Sequence, residues 1–232
     1  MKLFYISLFS ILLLSFQPRE NKSEYLSELK VELQKKWPGN RTINLVFHGH
    51  SVPSGYFKTP IVNTLESYPF LVYKELTAQY PFAVINLINT AIGGEDSKSG
   101  VQRFETEVLN HNPDVLFIDY ALNDRRIGLD SAKTAWEAMI QKALEKDIKI
   151  ILLTPSPDQK VDLHEDDTIL DQHSMRIREL AEKYEIGLAD TYESFKESVK
   201  TGSNLPDLMS QGNHPNEAGH ALIAKGILEY FK

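Results

Sequence analysis

The stretch Ile43-Asn-Leu-Val-Phe-His-Gly-His-Ser51 joins a run of apolar, strand-forming residues to a glycine and then to a serine. An apolar run of this length is typical of a buried strand in a parallel sheet. Pro53 and Gly55 follow at once, so we expect the chain to turn there and to present the Ser51 hydroxyl at the edge of the sheet. In α/β folds, ligands bind at this edge, outside the carboxyl ends of the strands.

Short apolar runs alternate with amphipathic stretches along the rest of the chain, and this pattern indicates a doubly wound parallel sheet. We predict five strands, at Ile43–Phe47, Phe82–Ile88, Val115–Tyr120, Ile148–Leu153 and Gly187–Asp190. We predict helices at Val62–Gln79, Val101–His111, Ser131–Lys146, Thr168–Tyr184 and Glu217–Phe231. Right-handed crossovers place helices on both faces of the sheet. The predicted fold is a three-layer α/β/α, flavodoxin-like domain with a five-stranded parallel sheet in the order 2-1-3-4-5.

Residues suited to catalysis follow the predicted strands. Ser51 follows the first strand, Gly93-Gly94 the second and Asn123-Asp124 the third, and in the predicted order these three loops are neighbours. His214 precedes the last helix, whose N-terminus Asn216 can cap. One chain thus offers a nucleophile, oxyanion donors and a general base. Taken singly, each of these residues is equally well explained as part of a turn or a helix cap.

The composition limits the partners and the catalytic groups that the chain can have. The chain has 232 residues, 42% of them hydrophobic and 25% charged, which fits one globular domain. Its net charge of −7, without a basic patch, argues against nucleic acid or an anionic membrane as a partner. The absence of cysteine excludes disulfides, thiolate metal sites and a cysteine nucleophile. His48-x-His50 and the acidic stretch Asp158–Asp167 match no compact ligand pattern, so we expect neither a metal nor a cofactor.

The N-terminal residues differ from the rest. One lysine precedes a weakly polar to apolar stretch that is too short to span a membrane comfortably, so we predict a signal peptide over residues 1–19 and export to the periplasm or the medium. An uncleaved anchor or a buried first helix is the alternative. Residues 20–40 are charged with helix-spaced apolar positions and end at Trp37-Pro38-Gly39, which predicts a lead-in helix before a domain at residues 41–232.

Four short blocks together resemble the SGNH, or GDSL-like, hydrolase family, and the resemblance covers the chain from about Asn44 to its end. Gly49-His-Ser51 is similar to the family's Gly-Asp-Ser, and Asn89-Thr-Ala-Ile-Gly-Gly94 to its glycine block. Ala121-Leu-Asn-Asp124 resembles Gly-x-Asn-Asp, and Gln211-Gly-Asn-His214 resembles Asp-x-x-His. The order, the spacing and the strand context of the four blocks agree. The resemblance implies ester hydrolysis by a serine nucleophile.

By this resemblance, Ser51 is the nucleophile and His214 is the general base. The Ser51 N–H, the Gly94 N–H and the Asn123 side-chain amide are the implied oxyanion donors. The family includes carbohydrate acetylesterases, lysophospholipases and thioesterases. The predicted export and the lack of an apolar lid favour a small acyl group, such as acetyl, on a carbohydrate. An acyltransferase and a non-catalytic carbohydrate-binding derivative of the fold are the alternatives.

The chain departs from the family pattern at three positions. His50 replaces an acidic residue and is a candidate substrate contact, as is Arg125 behind the third block. Ala121 replaces a glycine. Gln211 stands where the family has its triad aspartate, and an amide can orient a histidine but cannot supply a negative charge. Either another acid serves, for which we favour Asp207 because its loop leads into His214, or the enzyme works as a Ser-His dyad with Gln211 orienting the ring.

Overall fold

The computed structural model describes residues 22–232. The signal peptide predicted for residues 1–19 lies outside the described residues. In this part of the chain, five parallel strands form one sheet in the order β2-β1-β3-β4-β5. Their bounds are β1 Thr42–Gly49, β2 Val84–Asn89, β3 Val115–Asp119, β4 Lys149–Leu153 and β5 Gly187–Ala189. The predicted fold class and strand order are therefore confirmed.

Helices cover both faces of this sheet. They are α1 Lys22–Tyr25, α2 Ser27–Gln34, α3 Ser51–Ser54, α4 Tyr68–Gln79, α5 Ser97–Glu107, α6 Ala121–Asp124, α7 Leu129–Leu144, α8 Ile169–Lys183, α9 Thr191–Lys200 and α10 Glu217–Leu228. A small antiparallel hairpin, β6 Met209–Gln211 and β7 His214–Pro215, precedes the last of them. None of the helices in the described residues is both long enough and apolar enough to cross a membrane.

Successive side chains of each strand point to opposite faces of the sheet, so the core consists of two layers. Leu45 and Phe47 of β1 face the cluster formed with α2, α4, α9 and α10, while Val46 between them faces the cluster formed with α5, α7 and α8. Successive side chains of a strand point to opposite faces, so a strand buried on both faces is apolar along its whole length. β3 shows this most fully, because all five of its residues are buried.

Several elements begin or end at other residues than the sequence predicts. The helix predicted from Val62 begins at Tyr68, because Ser67 is extended and the residues before it form a separate 3-10 turn. α5 begins four residues earlier than predicted, because the Asp96 side chain accepts the Ser99 N–H and caps it. The prediction missed α9 and the β6–β7 hairpin. The lead-in helix predicted for residues 20–40 falls on α1 and α2.

Buried titratable side chains determine how the stability of the fold is expected to change with pH. Burial lowers the pKa of three of the buried histidines, to about 3 for His48 and His220 and to about 4 for His173. In the unfolded chain such a group binds a proton near pH 6.5, whereas in the fold it stays neutral. Burial also raises the pKa of Asp124 to about 6, which works in the opposite direction. The histidines outnumber the aspartate, so stability is predicted to be highest near neutral pH and to fall with acidification.

We predict that the free energy of unfolding falls as pH drops from about 6.5 to 4. Each proton bound only by the unfolded state lowers it by roughly 1.4 kcal/mol per pH unit. His173→Met should flatten this slope by about one proton, because it removes one buried imidazole. Urea titrations between pH 7.5 and 4.5 measure the slope. His164→Met at an exposed histidine is the control and should leave it unchanged; an equally flat slope in both variants would contradict the assignment.

Candidate active site

Ser51 lies where β1 gives way to α3. Gly49 at the end of the strand is packed against β3, and a Cβ there would lie 2.4 Å from the Asp119 carbonyl oxygen, so no larger residue fits. Ser51 opens α3, and Gly55 closes that helix in the left-handed region, at a φ of 88°. As the first residue of a helix, Ser51 has a backbone N–H with no partner inside the helix. The turn thus presents both the hydroxyl and this N–H at the sheet edge.

His50 has a structural role. It is fully buried, and its Nδ1 accepts a hydrogen bond from the Val52 N–H at 3.1 Å, which caps α3 in the way that an aspartate normally does. Its Nε2 then carries the proton and lies 3.3 Å from Asp119 Oδ1, out of line for a hydrogen bond. The expectation that His50 contacts substrate is therefore corrected.

His214 meets Ser51 directly. The β6–β7 hairpin brings its Nε2 to 2.9 Å from Ser51 Oγ. On the other side of the ring, Nδ1 lies 3.0 Å from the Phe57 carbonyl oxygen and 2.9 Å from Gln211 Nε2. Burial lowers the pKa of His214 below its usual value of 6.5, and the nearby His50 acts in the same direction. His214 is therefore neutral at pH 7, as a group that takes a proton from serine must be.

The glycine block lies beside this pair. The Ile92 N–H donates to the Gly49 carbonyl at 3.0 Å, which ties the block to the end of β1. Gly94 has a φ of 80°, which favours glycine, and the space where a Cβ would stand is open. Its N–H has no hydrogen-bond acceptor among residues 22–232, so it is free to bind a ligand oxygen.

Asn123 lies in α6, next to the glycine block. Its Nδ2 donates to the Glu95 carbonyl at 2.8 Å, which occupies one of the two amide hydrogens and leaves the second for another acceptor. Arg126 reinforces this link by donating from Nη2 to the Gly94 carbonyl at 2.6 Å. The structure therefore brings Ser51, Gly94 and Asn123 onto three adjoining loops that are hydrogen-bonded to one another.

Glu95, which the sequence analysis missed, anchors Asn123. Its carboxylate accepts a hydrogen bond from Tyr120 OH at 2.7 Å and forms an ion pair with Arg103. Tyr120 OH also meets His48 Nε2 at 3.1 Å. His48 therefore belongs to a buried hydrogen-bond network behind Asn123 and the glycine block. No sequence block marks Glu95, because it lies one residue beyond the glycine pair.

Two further sequence-based candidates have other partners. Asp207 is exposed, and its carboxylate accepts from Asn204 Nδ2 at 3.1 Å, so the structure does not bring it to His214. Arg125 donates from Nη1 to Asp158 Oδ2 at 2.9 Å and from Nε to the Leu122 carbonyl, which makes it a structural ion pair. The expectation that Asp207 is the triad acid is therefore corrected, whereas Arg125 as a substrate contact stays a prediction.

The chemistry, rather than the size of a cavity, locates the candidate site. A recess with a volume of about 660 Å³ lies between residues 159–164 and 199–206 and includes neither Ser51 nor His214. It adjoins the site through Gln159, whose N–H donates to the Gly212 carbonyl. Within residues 22–232 no three His, Asp or Glu side chains converge as a metal site would require.

Comparison with known proteins agrees with this geometry. A model of the GDSL-like lipase/acylhydrolase family matches residues 47–222. The chain therefore belongs to that family, and the resemblance seen in the four sequence blocks is confirmed. It is an ester-bond hydrolase of the GDSL-like, or SGNH, type.

Three of the proteins similar to this chain are esterases by name. The chain is 25% identical over 169 residues to an acetylxylan esterase of Geobacillus stearothermophilus, covering 66% of this chain and 75% of that protein. The crystal structure of an acetylxylan esterase from the same organism matches with a TM-score of 0.71 and 24% identity, covering 82% of this chain and 94% of that one. A two-domain esterase active on acetylated mannans matches with a TM-score of 0.74 and 21% identity, covering 89% and 52%. The structural matches show the shared fold.

Proposed function

We propose that the protein is a serine esterase that removes a small acyl group, most simply acetyl, from a carbohydrate. The observation that carries this proposal is the 2.9 Å contact between Ser51 Oγ and a buried His214 whose lowered pKa keeps it neutral. A hydroxyl and a neutral imidazole within hydrogen-bond distance are the minimum equipment for nucleophilic acyl transfer. A non-catalytic binding protein would have no need of this pair.

The mechanism follows from these two groups. As Ser51 Oγ attacks the ester carbonyl, His214 Nε2 takes the hydroxyl proton. The imidazolium then gives that proton to the departing sugar oxygen, which leaves an acyl-serine. A water molecule, deprotonated by the same nitrogen, attacks the acyl carbon and releases the carboxylic acid and free Ser51.

Three donors support the negative charge of each tetrahedral intermediate in this proposal. They are the N–H of Ser51, the N–H of Gly94 and the second amide hydrogen of Asn123. The hydrogen bonds that link their loops hold them in place before substrate arrives, so little reorganisation accompanies the reaction.

Asn123→Ala tests this oxyanion site. It should lower kcat about a hundredfold with little change in KM, because the donor acts mainly in the transition state. Steady-state kinetics on p-nitrophenyl acetate measure both constants. Asn110→Ala, which removes an exposed amide in the 3-10 turn that follows α5, is the matched control. A large rise in KM at unchanged kcat would instead assign Asn123 to ground-state binding.

The carbohydrate substrate is inferred from the relatives. Those with printed activities act on acetylated xylan, xylooligosaccharides or mannans, and the match spans most of the chain. Acetic acid release from acetylated xylooligosaccharides and mannooligosaccharides, measured beside p-nitrophenyl esters of two, four and eight carbons, tests the inference. We expect turnover of the acetylated sugars and a steep fall with acyl length. Preference for the eight-carbon ester would favour the lysophospholipase or thioesterase alternative, and acyl transfer to an added alcohol in place of water would favour the acyltransferase.

Export rests on the sequence of residues 1–19 and supports a substrate outside the cell. Expression of the full chain followed by N-terminal sequencing of the extracellular or periplasmic product tests it. An intact N-terminus on protein retained in the cytoplasm would contradict export without bearing on the catalytic assignment.

A further inference from the structure

The imidazolium that His214 forms during the reaction needs a hydrogen-bond acceptor at Nδ1. Once Nε2 has taken the Ser51 proton, both ring nitrogens carry hydrogen and neither can accept. Two groups lie next to Nδ1: the Phe57 carbonyl oxygen at 3.0 Å and Gln211 Nε2 at 2.9 Å. Only the carbonyl can accept, because an amide nitrogen is a donor.

The orientation of the Gln211 amide is fixed by Thr59. The Thr59 backbone N–H, which can only donate, lies 2.9 Å from Gln211 Oε1, and Gln211 Nε2 also contacts Thr59 Oγ1 at 3.2 Å. Turning the amide over to offer its oxygen to His214 would place Nε2 against the Thr59 N–H, donor against donor. In this orientation Gln211 holds the Thr59 segment and can donate to an unprotonated Nδ1, but it cannot accept from the imidazolium, so the Phe57 carbonyl is the one acceptor beside the protonated ring.

No carboxylate in the described residues provides the acceptor that Gln211 cannot provide. Within residues 22–232 no Asp or Glu oxygen lies within 4.0 Å of a His214 ring nitrogen. The titratable groups that bear on His214 are His50 and His220, and the Tyr56 ring lies 6.3 Å away. None of these groups is a carboxylate.

The Phe57 carbonyl is held firmly in place. The Phe57 ring is buried and stacks on His220 of α10, with the ring centroids 4.7 Å apart and the planes at 19°. His220 is fixed in turn, because its Nδ1 accepts the Tyr68 N–H at 3.1 Å. On the other side, the Gln211–Thr59 contacts anchor the chain two residues further on. The segment that bears the carbonyl is thus anchored on both sides, but the carbonyl carries only a partial charge.

We propose that the main-chain carbonyl of Phe57 takes the place of the triad carboxylate, and that Gln211 is a positioning residue that secures the segment bearing this carbonyl. The inference rests on the proposed esterase function and deepens it. A carbonyl dipole selects the tautomer with hydrogen on Nδ1, which leaves Nε2 free to accept from Ser51, but it stabilises the imidazolium less than a full negative charge does.

A carboxylate at position 211 should suit this site better than the amide does. The Thr59 N–H donates to this position, the Thr59 hydroxyl now accepts from the Gln211 amide but can rotate to donate to a carboxylate, and the Nδ1–H of the imidazolium lies beside it. Gln211→Glu has nearly the same shape, keeps the contact with the Thr59 N–H and adds the missing acceptor. It should raise the pKa of His214, because an adjacent negative charge favours the charged imidazole.

The experiment combines kinetics with a spectroscopic readout. In the profile of kcat/KM against pH, we expect the acid limb of Gln211→Glu to lie at least ~1 pH unit higher than that of the wild type. The plateau value of kcat/KM should rise about tenfold. Gln211→Ala, which loses the Thr59 contacts, should lower kcat about tenfold at similar KM. Asp207→Asn removes a carboxylate of the same loop and should be silent. A Gln211→Glu variant that is slower or has an unmoved acid limb, or a hundredfold loss in Asp207→Asn, would overturn the proposal.

The ground-state tautomer provides an independent check that needs no turnover. In ¹⁵N-histidine NMR of the wild type at pH 8, the His214 signals, assigned by their loss in His214→Ala, should show hydrogen on Nδ1. Hydrogen on Nε2 would mean that Gln211 donates to the ring and would overturn the proposal. An absence of esterase activity would count against the proposed function, and the tautomer would still decide the role of the Phe57 carbonyl.

Discussion

Ser51→Ala is expected to lower esterase turnover by a factor on the order of a thousand or more while leaving the fold intact. The change removes one hydroxyl at a turn and no core packing, and Gly49, Gly55 and the His50 cap that shape the turn all remain. p-Nitrophenyl acetate hydrolysis and the urea midpoint measure activity and stability side by side.

Ser54→Ala is the matched control, since Ser54 lies in the same short helix and its hydroxyl donates to the His50 carbonyl. It should keep most of the activity. If Ser51→Ala retained more than about a tenth of the wild-type rate, Ser51 would not be the nucleophile, and the activity would come from another group.

His214→Ala is expected to cost about as much as Ser51→Ala. Without an acceptor 2.9 Å from its oxygen, Ser51 keeps its proton and is a poor nucleophile. Since the two residues act as one unit, the double variant should be no slower than either single variant, within about threefold. Losses that multiply in the double variant would show two independent contributions and would contradict the pairing of Ser51 with His214.

The strands could be predicted because a strand that is buried on both faces appears in the sequence as a continuous apolar run. β3 is apolar in its first four residues, and its predicted span differs from the observed one by a single residue. The helix boundaries were harder, since they depend on single caps such as Asp96. α9 was missed because its ten residues include only three buried ones, which is too weak a pattern against the charged residues around them.

The candidate site was predictable where side chains of distinctive chemistry follow strands. Ser51, Gly94 and Asn123 were found in this way, and His214 was found by its place before the last helix. The structure places the loops of the first three side by side and His214 against Ser51. The roles of the remaining residues were not predictable, because they depend on contacts distant in sequence. His50 caps a helix, and Asp207 bonds to Asn204.

The Phe57 carbonyl illustrates the limit of sequence analysis most clearly. Every residue has a main-chain carbonyl, so the residue type at position 57 does not indicate a contact with His214. His214 lies 157 positions further along the chain. Gln211 indicated only that the usual carboxylate was missing. The three-dimensional structure was needed to show which group stands next to Nδ1.

Covalent labelling tests the central claim most directly. The protein is treated with a serine-directed fluorophosphonate, residual activity is followed, and the modified peptide is identified by mass spectrometry. We predict one label per chain on Ser51, loss of activity in proportion to labelling, and little or no labelling in Ser51→Ala or His214→Ala. Full inhibition with the label on another residue, or full activity after stoichiometric labelling of Ser51, would contradict the account.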